Sequence, residues 1–210
     1  MEATALWQHL WNSRAPTPGL EHLRLEGRRA DSVLLAFDEQ GSPYRLGYRL
    51  EYSQHWRPRH LHVRVDDERG TRELRLHCNR SGEWRDGAGT PLPQLSGCLD
   101  LDLWPTPFTN SPAIWRLDLA QDQREEIAVA YIEAPSLDLQ VMRQAYTRLD
   151  ARHLLYQNLD GDGFHAVLTL GDDGLVEDYP GLFRRLRRWA QQGPPPPKAL
   201  ERDLREKSRS

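Results

Sequence analysis

Apolar and polar residues alternate with a period of two along much of the chain. In residues 44–52, five large apolar or aromatic side chains alternate with polar residues or glycine, so they share one face of a predicted strand. A short apolar run at 33–37 precedes this segment, and turn-forming residues at 38–43 lie between the two. The pattern therefore predicts a β-hairpin.

A second hairpin is predicted from residues 61–65 and 74–78, which alternate in the same way on either side of a turn. If the apolar side chains of both strands lie on one face, the residue numbers of each cross-strand pair must add up to an odd number. A register shift by one residue would move all side chains of one strand to the opposite face. A sum of 137 places Arg64 opposite Glu73, a favourable pair of charges, and His60 opposite His77.

Short strand candidates continue toward the C-terminus, separated by turns rich in Gly, Pro and Asp. They are residues 98–103, 114–119, 126–132, 137–141, 154–157, 163–170 and 175–178. Two helices are predicted, at 4–11 and at 182–190. So many strands without alternating helices predict a mainly β fold: a single strongly curved antiparallel sheet forming an open or partial barrel, with one short C-terminal helix.

The end of the chain differs in composition from the rest. Residues 1–190 are predicted to form one barrel-like domain, whereas 191–210 contain a proline run and then a charged segment, predicted to be an extended or disordered tail. The predicted helix at 182–190 carries four arginines beside an apolar stripe. Docking of that stripe on the sheet is favoured over binding to a membrane or to nucleic acid.

Composition narrows the function classes. Of the 210 residues, 7 are Trp and 7 are Tyr but only 2 are Met, which favours strands over packed helices. A formal net charge of −3 gives no general electrostatic reason to bind nucleic acid. No secretory signal is recognisable, and the longest apolar run, 127–132, is far too short to span a bilayer. We therefore expect a soluble cytoplasmic protein with no nucleic-acid partner and no integral membrane association.

Cysteine and histidine residues offer few candidates for metal chemistry. Cys78 and Cys98 are predicted to be buried and reduced, because no export signal directs them to an oxidising compartment. His60, His62 and His77 share one face of the second hairpin and could approach a metal ion. No carboxylate or thiolate clearly completes that ligand set, so we predict a polar strand face with no metal and no cofactor.

Two carboxylates form the main candidate for catalysis. Asp100 and Asp102 project from one face of the strand at 98–103. Such a pair suits acid/base catalysis, binding of sugar hydroxyls, or simple exposure to water. If Arg116 lies opposite them, a buried arginine–carboxylate network is implied instead. Because no nucleophile motif and no phosphate-binding glycine pattern is present, we assign no catalytic residue.

Residues 97–110 read Gly-Cys-Leu-Asp-Leu-Asp-Leu-Trp-Pro-Thr-Pro-Phe-Thr-Asn, an order that composition does not explain. This segment resembles the signature of a bacterial family named "putative glycolipid-binding", formerly of unknown function. Other matching pieces follow in the expected order, so the resemblance covers roughly residues 20–185. One departure is Trp115, which stands where the family usually has an arginine.

The resemblance implies a curved antiparallel sheet, similar in shape to bacterial carriers of lipoproteins and lipids, that holds a lipid or glycolipid in its concave face. If the family's arginine contacts an anionic head group, Trp115 implies a different ligand in this protein. The alternating aromatic residues then have two equally supported roles. They either line a ligand cavity that removes acyl chains from water, or they fill the interior of the barrel.

The predicted ligand contacts combine aromatic side chains with a few polar groups that orient a head group. They are Tyr44, Tyr48, Tyr52, Trp56, Trp84, Asp100, Asp102, Phe108, Asn110, Arg116, Tyr131 and Tyr146. Two alternatives stay open. One is a hydrolase-like enzyme acting on a lipid or sugar through Asp100 and Asp102; the other is a protein-interaction module with a filled barrel and an exposed sheet edge.

Overall fold

The computed structural model of the protein describes residues 1–10, 18–161 and 163–186. Within them, one sheet of fourteen strands runs in the order β7-β6-β5-β4-β3-β2-β1-β14-β13-β12-β11-β10-β9-β8 and does not close. The strands are β1 (Glu2–His9), β2 (Gly19–Glu26), β3 (Arg29–Phe37), β4 (Pro43–Tyr52), β5 (Pro58–Asp67), β6 (Gly70–Cys78), β7 (Trp84–Asp86), β8 (Asp100–Trp104), β9 (Arg124–Glu133), β10 (Asp138–Arg148), β11 (His153–Asn158), β12 (His165–Leu170), β13 (Val176–Tyr179) and β14 (Phe183–Arg185). One helix, α1 (Asn110–Leu117), joins β8 to β9, and a short 3₁₀ turn, Pro93–Leu95, precedes β8.

Both predicted hairpins are confirmed. The five large side chains of β4 are each at most 7% exposed, while the residues between them face outward or are half-buried. In the β5–β6 pair, Arg64 lies opposite Glu73 and His60 opposite His77. Burial of one face thus sets the register, as the alternation predicts.

The helix lies in the middle of the chain and not at its C-terminal end. Residues 114–119 were expected to form a strand, but 110–117 form α1, whose residues 110–114 are all buried. A helix segment buried on every side lacks the contrast between apolar and polar faces that reveals helices in a sequence. Asp118 ends α1 in the left-handed conformation, with φ of 45°.

The two predicted helices are wrong where the structure describes them. Residues 2–9 form β1, in which Ala5, Trp7 and His9 are buried, and residue 11 lies outside the described residues. Phe183–Arg185 form β14, which pairs with β1, and 187–190 again lie outside them. Strand pairing with a neighbour satisfies the backbone groups of these short segments, and this outweighs their helical spacing.

One pair of strands departs from the expected antiparallel arrangement. β8 runs parallel to β9, with Asp100 opposite Val129 and Trp104 opposite Glu133. The other neighbouring pairs in the described sheet are antiparallel. A parallel pair needs a crossover connection, which α1 and the chain that follows it provide.

Two apolar clusters fill the curve of the sheet, on either side of β8. Leu101 and Leu103 belong to the first cluster, together with the inward side chains of β1 to β6. The second cluster combines α1 with β10 to β14. Tyr48 and Tyr146, one in each cluster, are at most 2% exposed. The interior aromatic residues therefore act largely as filling.

Several further predictions concern single residues or segments. Cys78 and Cys98 are buried and free, as predicted, and burial raises the pKa of Cys98 to about 11. Among the described residues, no group of three or more His, Cys, Asp or Glu is arranged to hold a metal ion. None of the helices described is long and apolar enough to cross a bilayer. The tail at 191–210 lies outside the described residues, and the single domain over 1–190 stays a prediction.

The first cluster encloses one acidic side chain, Glu21 of β2. Its Oε1 accepts hydrogen bonds from Ser32 Oγ at 2.8 Å, Tyr48 Oη at 2.8 Å and Thr106 Oγ1 at 2.9 Å. Its Oε2 has no partner. Burial raises the pKa of Glu21 from 4.5 to about 7, against the opposing effect of the three donors.

Replacing Glu21 with glutamine is expected to stabilise the protein above neutral pH. Because the pKa of Glu21 is raised in the folded state, folding favours the protonated carboxyl group. This contribution to the free energy of unfolding is present at low pH and is lost as pH rises from 4.5 to about 7. The full effect corresponds to about 3 kcal/mol. Urea unfolding should show that E21Q is more stable than the wild type near pH 8 and that the gap narrows near pH 5. The exposed Glu39→Gln is the control, and an equal gain at both pH values would contradict the prediction.

Candidate functional site

Six of the twelve predicted ligand contacts are aromatic members of the first apolar cluster. They are Tyr44, Tyr48, Tyr52, Trp56, Trp84 and Phe108. Tyr52 packs against Trp56 and Phe108, with ring centroids 5.8 Å and 6.3 Å away. Tyr44 also reaches a surface groove, and Trp84 lines another with Leu92. These rings pack the first cluster, and Tyr44 and Trp84 connect it to the surface grooves that they line.

Four further predicted contacts meet on the other side of β8. Asp102 accepts hydrogen bonds from Thr109 Oγ1 at 2.7 Å and Gln144 Nε2 at 2.6 Å. Tyr146 Oη donates to Asn110 Oδ1 at 2.9 Å. Tyr131 lies opposite Asp102 in the β8–β9 register. Burial raises the pKa of Asp102 against its two donors, and burial together with the Asp102 charge raises the pKa of Tyr131.

Asp100 and Arg116 form a buried ion pair. Arg116 Nε and Nη2 donate to the two carboxylate oxygens of Asp100 at 2.7 Å and 2.6 Å. The predicted arginine–carboxylate contact is therefore present, although Arg116 lies on α1 and not on a strand. Both carboxylates are therefore engaged in hydrogen bonds or ion pairs with other side chains of the protein. This arrangement does not favour acid/base catalysis by Asp100 and Asp102.

A groove opens where distant parts of the sheet approach each other; we name it the mouth groove. Its walls come from the end of β3, the start of β4, the β5–β6 turn, the end of β8 and the β9–β10 turn. It is lined by residues 37–40, Tyr44, Arg69, Arg72, Trp104, residues 133–136 and Asp138. Its volume is about 470 Å³, within the usual range for small-molecule sites.

Arg72 joins the two sides of the mouth groove. Its guanidinium donates to the carbonyl oxygen of Pro135 at 3.2 Å from Nε and 3.0 Å from Nη2. The same guanidinium pairs with Asp67 at 2.6 Å. Because β6 and the β9–β10 turn are far apart in sheet order, these bonds hold the curled sheet in shape beside the groove.

The lining of the mouth groove combines aromatic and polar groups. Tyr44 is 6% exposed, and burial together with the negative charge of Asp38 raises its pKa, so its hydroxyl stays a donor. Trp104 is half-buried, with its ring 5.7 Å from that of Phe183. Arg69 is exposed and forms no ion pair within the described part of the chain. The electron-rich face of an aromatic ring attracts the C–H groups of a sugar, while charged side chains bond to its hydroxyls.

Another groove, of about 660 Å³, lies on the outer face of β2 to β4, but its chemistry differs. Its arginines are paired with carboxylates of the same surface, for example Arg29 with Glu51 at 2.9 Å and Arg49 with Asp31 at 2.7 Å. No Phe, Tyr or Trp lines it among the described residues. The mouth groove is therefore the better candidate for an organic ligand.

The family described as "Putative glycolipid-binding" matches residues 8–185 of the sequence. The chain belongs to this family. A crystal structure of a DUF1089 family protein from Pseudomonas aeruginosa is 53% identical in sequence, with a TM-score of 0.78. The match covers 80% of this chain and 92% of that one. No curated protein matches the sequence.

Sequence reasoning missed most of the residues that line the mouth groove, since only Tyr44 of the predicted contacts is among them. Trp104 ends the signature strand and Phe37 ends the apolar run 33–37, so both aromatic residues were visible in the sequence. Arg69 and Arg72 had no distinguishing pattern. These two arginines line the groove only because the β5–β6 turn lies close to the β9–β10 turn in the folded sheet.

Proposed function

We propose that this protein binds a glycolipid through its sugar head group in the mouth groove. The observation that carries the proposal is a groove in which Tyr44, Trp104 and Phe37 lie beside arginine and carboxylate side chains. The family description supports a glycolipid as the ligand. A few placed polar groups among aromatic walls can orient one sugar.

The proposal moves the ligand from the concave face to a groove formed by strand ends and turns. The deeply buried predicted contacts, such as Tyr48 and Phe108, pack the interior and shape the groove without touching the ligand in this proposal. The Asp102 network fixes the end of β8, from which Trp104 projects to the groove. These side chains are thus positioning residues for the binding site.

Replacing Arg69 with alanine is expected to weaken binding of a water-soluble alkyl galactoside by about tenfold, the loss of one charged hydrogen bond. Arg69 has no salt bridge within the described residues, and Asp67, whose pKa its charge helps to lower, keeps its ion pair with Arg72 when Arg69 is removed. Arg80→Ala, at another exposed arginine, in the β6–β7 turn, is the matched control. Titration followed by the fluorescence of Trp104 and the other tryptophans measures the affinity.

Two results would contradict the proposal. One is a wild-type protein that binds no glycolipid in a broad panel and carries none when its lipids are extracted after purification from cells. The other is an R69A protein that binds as tightly as the wild type and R80A. Equal weakening in both variants would indicate a general effect of charge, which also contradicts a head-group site at Arg69.

A further inference from the structure

The outer face of β2 and β3 carries large apolar side chains that are exposed. They are Leu20 at 43%, Val33 at 37%, Leu35 at 57% and Phe37 at 41% exposed; we name them the outer stripe. Leu20 lies directly opposite Leu35 in the β2–β3 register, and the three residues of β3 alternate along one face. They therefore form one continuous patch, and such patches mark surfaces that meet a partner.

The outer stripe continues into the mouth groove. Phe37 belongs to the stripe and also lines the groove. A ligand in the groove therefore lies next to whatever covers the stripe. This rests on the proposed function, in which the groove holds a sugar head group.

The filled interior restricts how a glycolipid can be held. The inward side chains of the sheet pack into two clusters, and the mouth groove, at about 470 Å³, is open to the surface. Acyl chains outside such a groove meet water unless they stay in a bilayer, and exposure of their CH₂ groups to water is unfavourable. A bound glycolipid therefore keeps its acyl chains in the membrane, and the protein must approach that membrane.

The charges around the stripe suit a zwitterionic lipid surface. On the same outer face, Arg24 pairs with Glu26, while Arg29 and Arg49 pair with carboxylates of neighbouring strands. These pairs leave the border of the stripe close to neutral. Arg45 lies opposite Leu35 on one side and Asp66 on the other, and its charge helps lower the pKa of Asp66. It is exposed and forms no salt bridge within the described residues, so its long side chain can extend to a lipid phosphate.

We propose that the outer stripe docks on a lipid bilayer and brings the mouth groove to the glycolipid head groups at its surface. Leu20, Leu35 and Phe37 enter the interfacial region, and Arg45 contacts phosphate groups. The protein then recognises glycolipid in place, with the acyl chains still in the bilayer.

Vesicle sedimentation with phosphatidylcholine, alone or with a minor fraction of a galactolipid, tests the docking. The double variant Leu20→Ser/Leu35→Ser removes stripe residues that do not line the mouth groove. Val141→Ser/Val167→Ser is the matched control, because these side chains are 41% and 40% exposed on β10 and β12. We expect L20S/L35S to bind both kinds of vesicle at least about tenfold more weakly than the wild type and the control.

The affinity for a water-soluble alkyl galactoside separates this inference from the proposed function. We expect L20S/L35S to retain it, since the groove is unchanged. A wild type that binds the galactoside but no vesicles, or vesicle binding that L20S/L35S retains in full, would overturn the docking alone. Vesicle binding that depends on the stripe without any galactoside binding would overturn the proposed function and leave the docking. If the wild type forms a dimer and binds no vesicles, and the L20S/L35S variant is a monomer, a second copy of the chain covers the stripe. That result would also overturn the docking.

Discussion

Replacing Arg116 with methionine is expected to destabilise the protein by about 3–5 kcal/mol near pH 8. Asp100 is 2% exposed, and Arg116 donates to both of its carboxylate oxygens. Without the guanidinium, Asp100 stays buried as an uncompensated charge, and the cost of that charge exceeds the value of the lost pair. Urea unfolding followed by circular dichroism measures the change.

The loss should depend on pH in a defined direction. Burial raises the pKa of Asp100, and Arg116 opposes this effect. In R116M only the weaker opposing charge of Arg57 is left, so the pKa of Asp100 rises further and the protonated form is reached at higher pH. A raised folded-state pKa adds stability at low pH that is lost as pH rises, so the deficit of R116M should be smaller near pH 5 than near pH 8.

Two variants serve as controls for R116M. Arg24→Met removes a guanidinium whose side chain is 66% exposed beside Glu26, and it should cost less than about 1 kcal/mol. The double variant Asp100→Leu/Arg116→Met removes both buried charges and should recover most of the loss. If R116M were as stable as R24M near pH 8, Asp100 would not be held by Arg116 as described.

Replacing Gly174 with alanine is expected to destabilise the protein by about 3 kcal/mol. Gly174 has a φ of +72°, and a Cβ placed on it would lie 2.5 Å from Trp115 Nε1. Trp115 has little freedom to move, because its ring packs against Trp56 at 4.3 Å and the Arg28 guanidinium covers Trp56 at 3.8 Å. Thermal and urea unfolding measure the effect.

A second glycine separates the two causes of this loss. Gly41 has a φ of +82°, and a Cβ placed on it would meet nothing within 4 Å, so Gly41→Ala should cost only the backbone strain, about 1 kcal/mol. In a Trp115→Ala background, Gly174→Ala should cost a similar amount, because the clash is gone. Equal losses for G174A and G41A in the native background would contradict the role of Trp115.

The position of Trp115 bears on the departure that the resemblance implies. Trp115 stands where the resemblance predicts an arginine, but it packs between Trp56 and Gly174 and does not line the mouth groove. Trp115 thus contributes to the packing between α1 and two loops. The choice of head group, in the proposed function, depends on other residues.

The alternation of apolar and polar residues predicted most strands, because side chains along a strand with one buried face alternate between core and solvent. This is why β4 and the β5–β6 register were correct. The same reasoning failed for α1, which is buried along its first five residues, and for β1 and β14, whose apolar spacing is helical although both pair as strands. It also left Asp100 and Asp102 open to several roles, because a strand enclosed on both faces looks half-exposed in sequence.

The sequence by itself determined the two hairpins, most of the strands that follow them, the two buried cysteines and the family, since each depends on neighbouring residues or on a contiguous signature. Only the tertiary structure decided the parallel pairing of β8, the filled interior and the mouth groove. Arg72 and Pro135, which close that groove, are 63 residues apart in the chain. Contacts at that distance depend on how the whole sheet curls, and the alternation of any one strand carries no information about it.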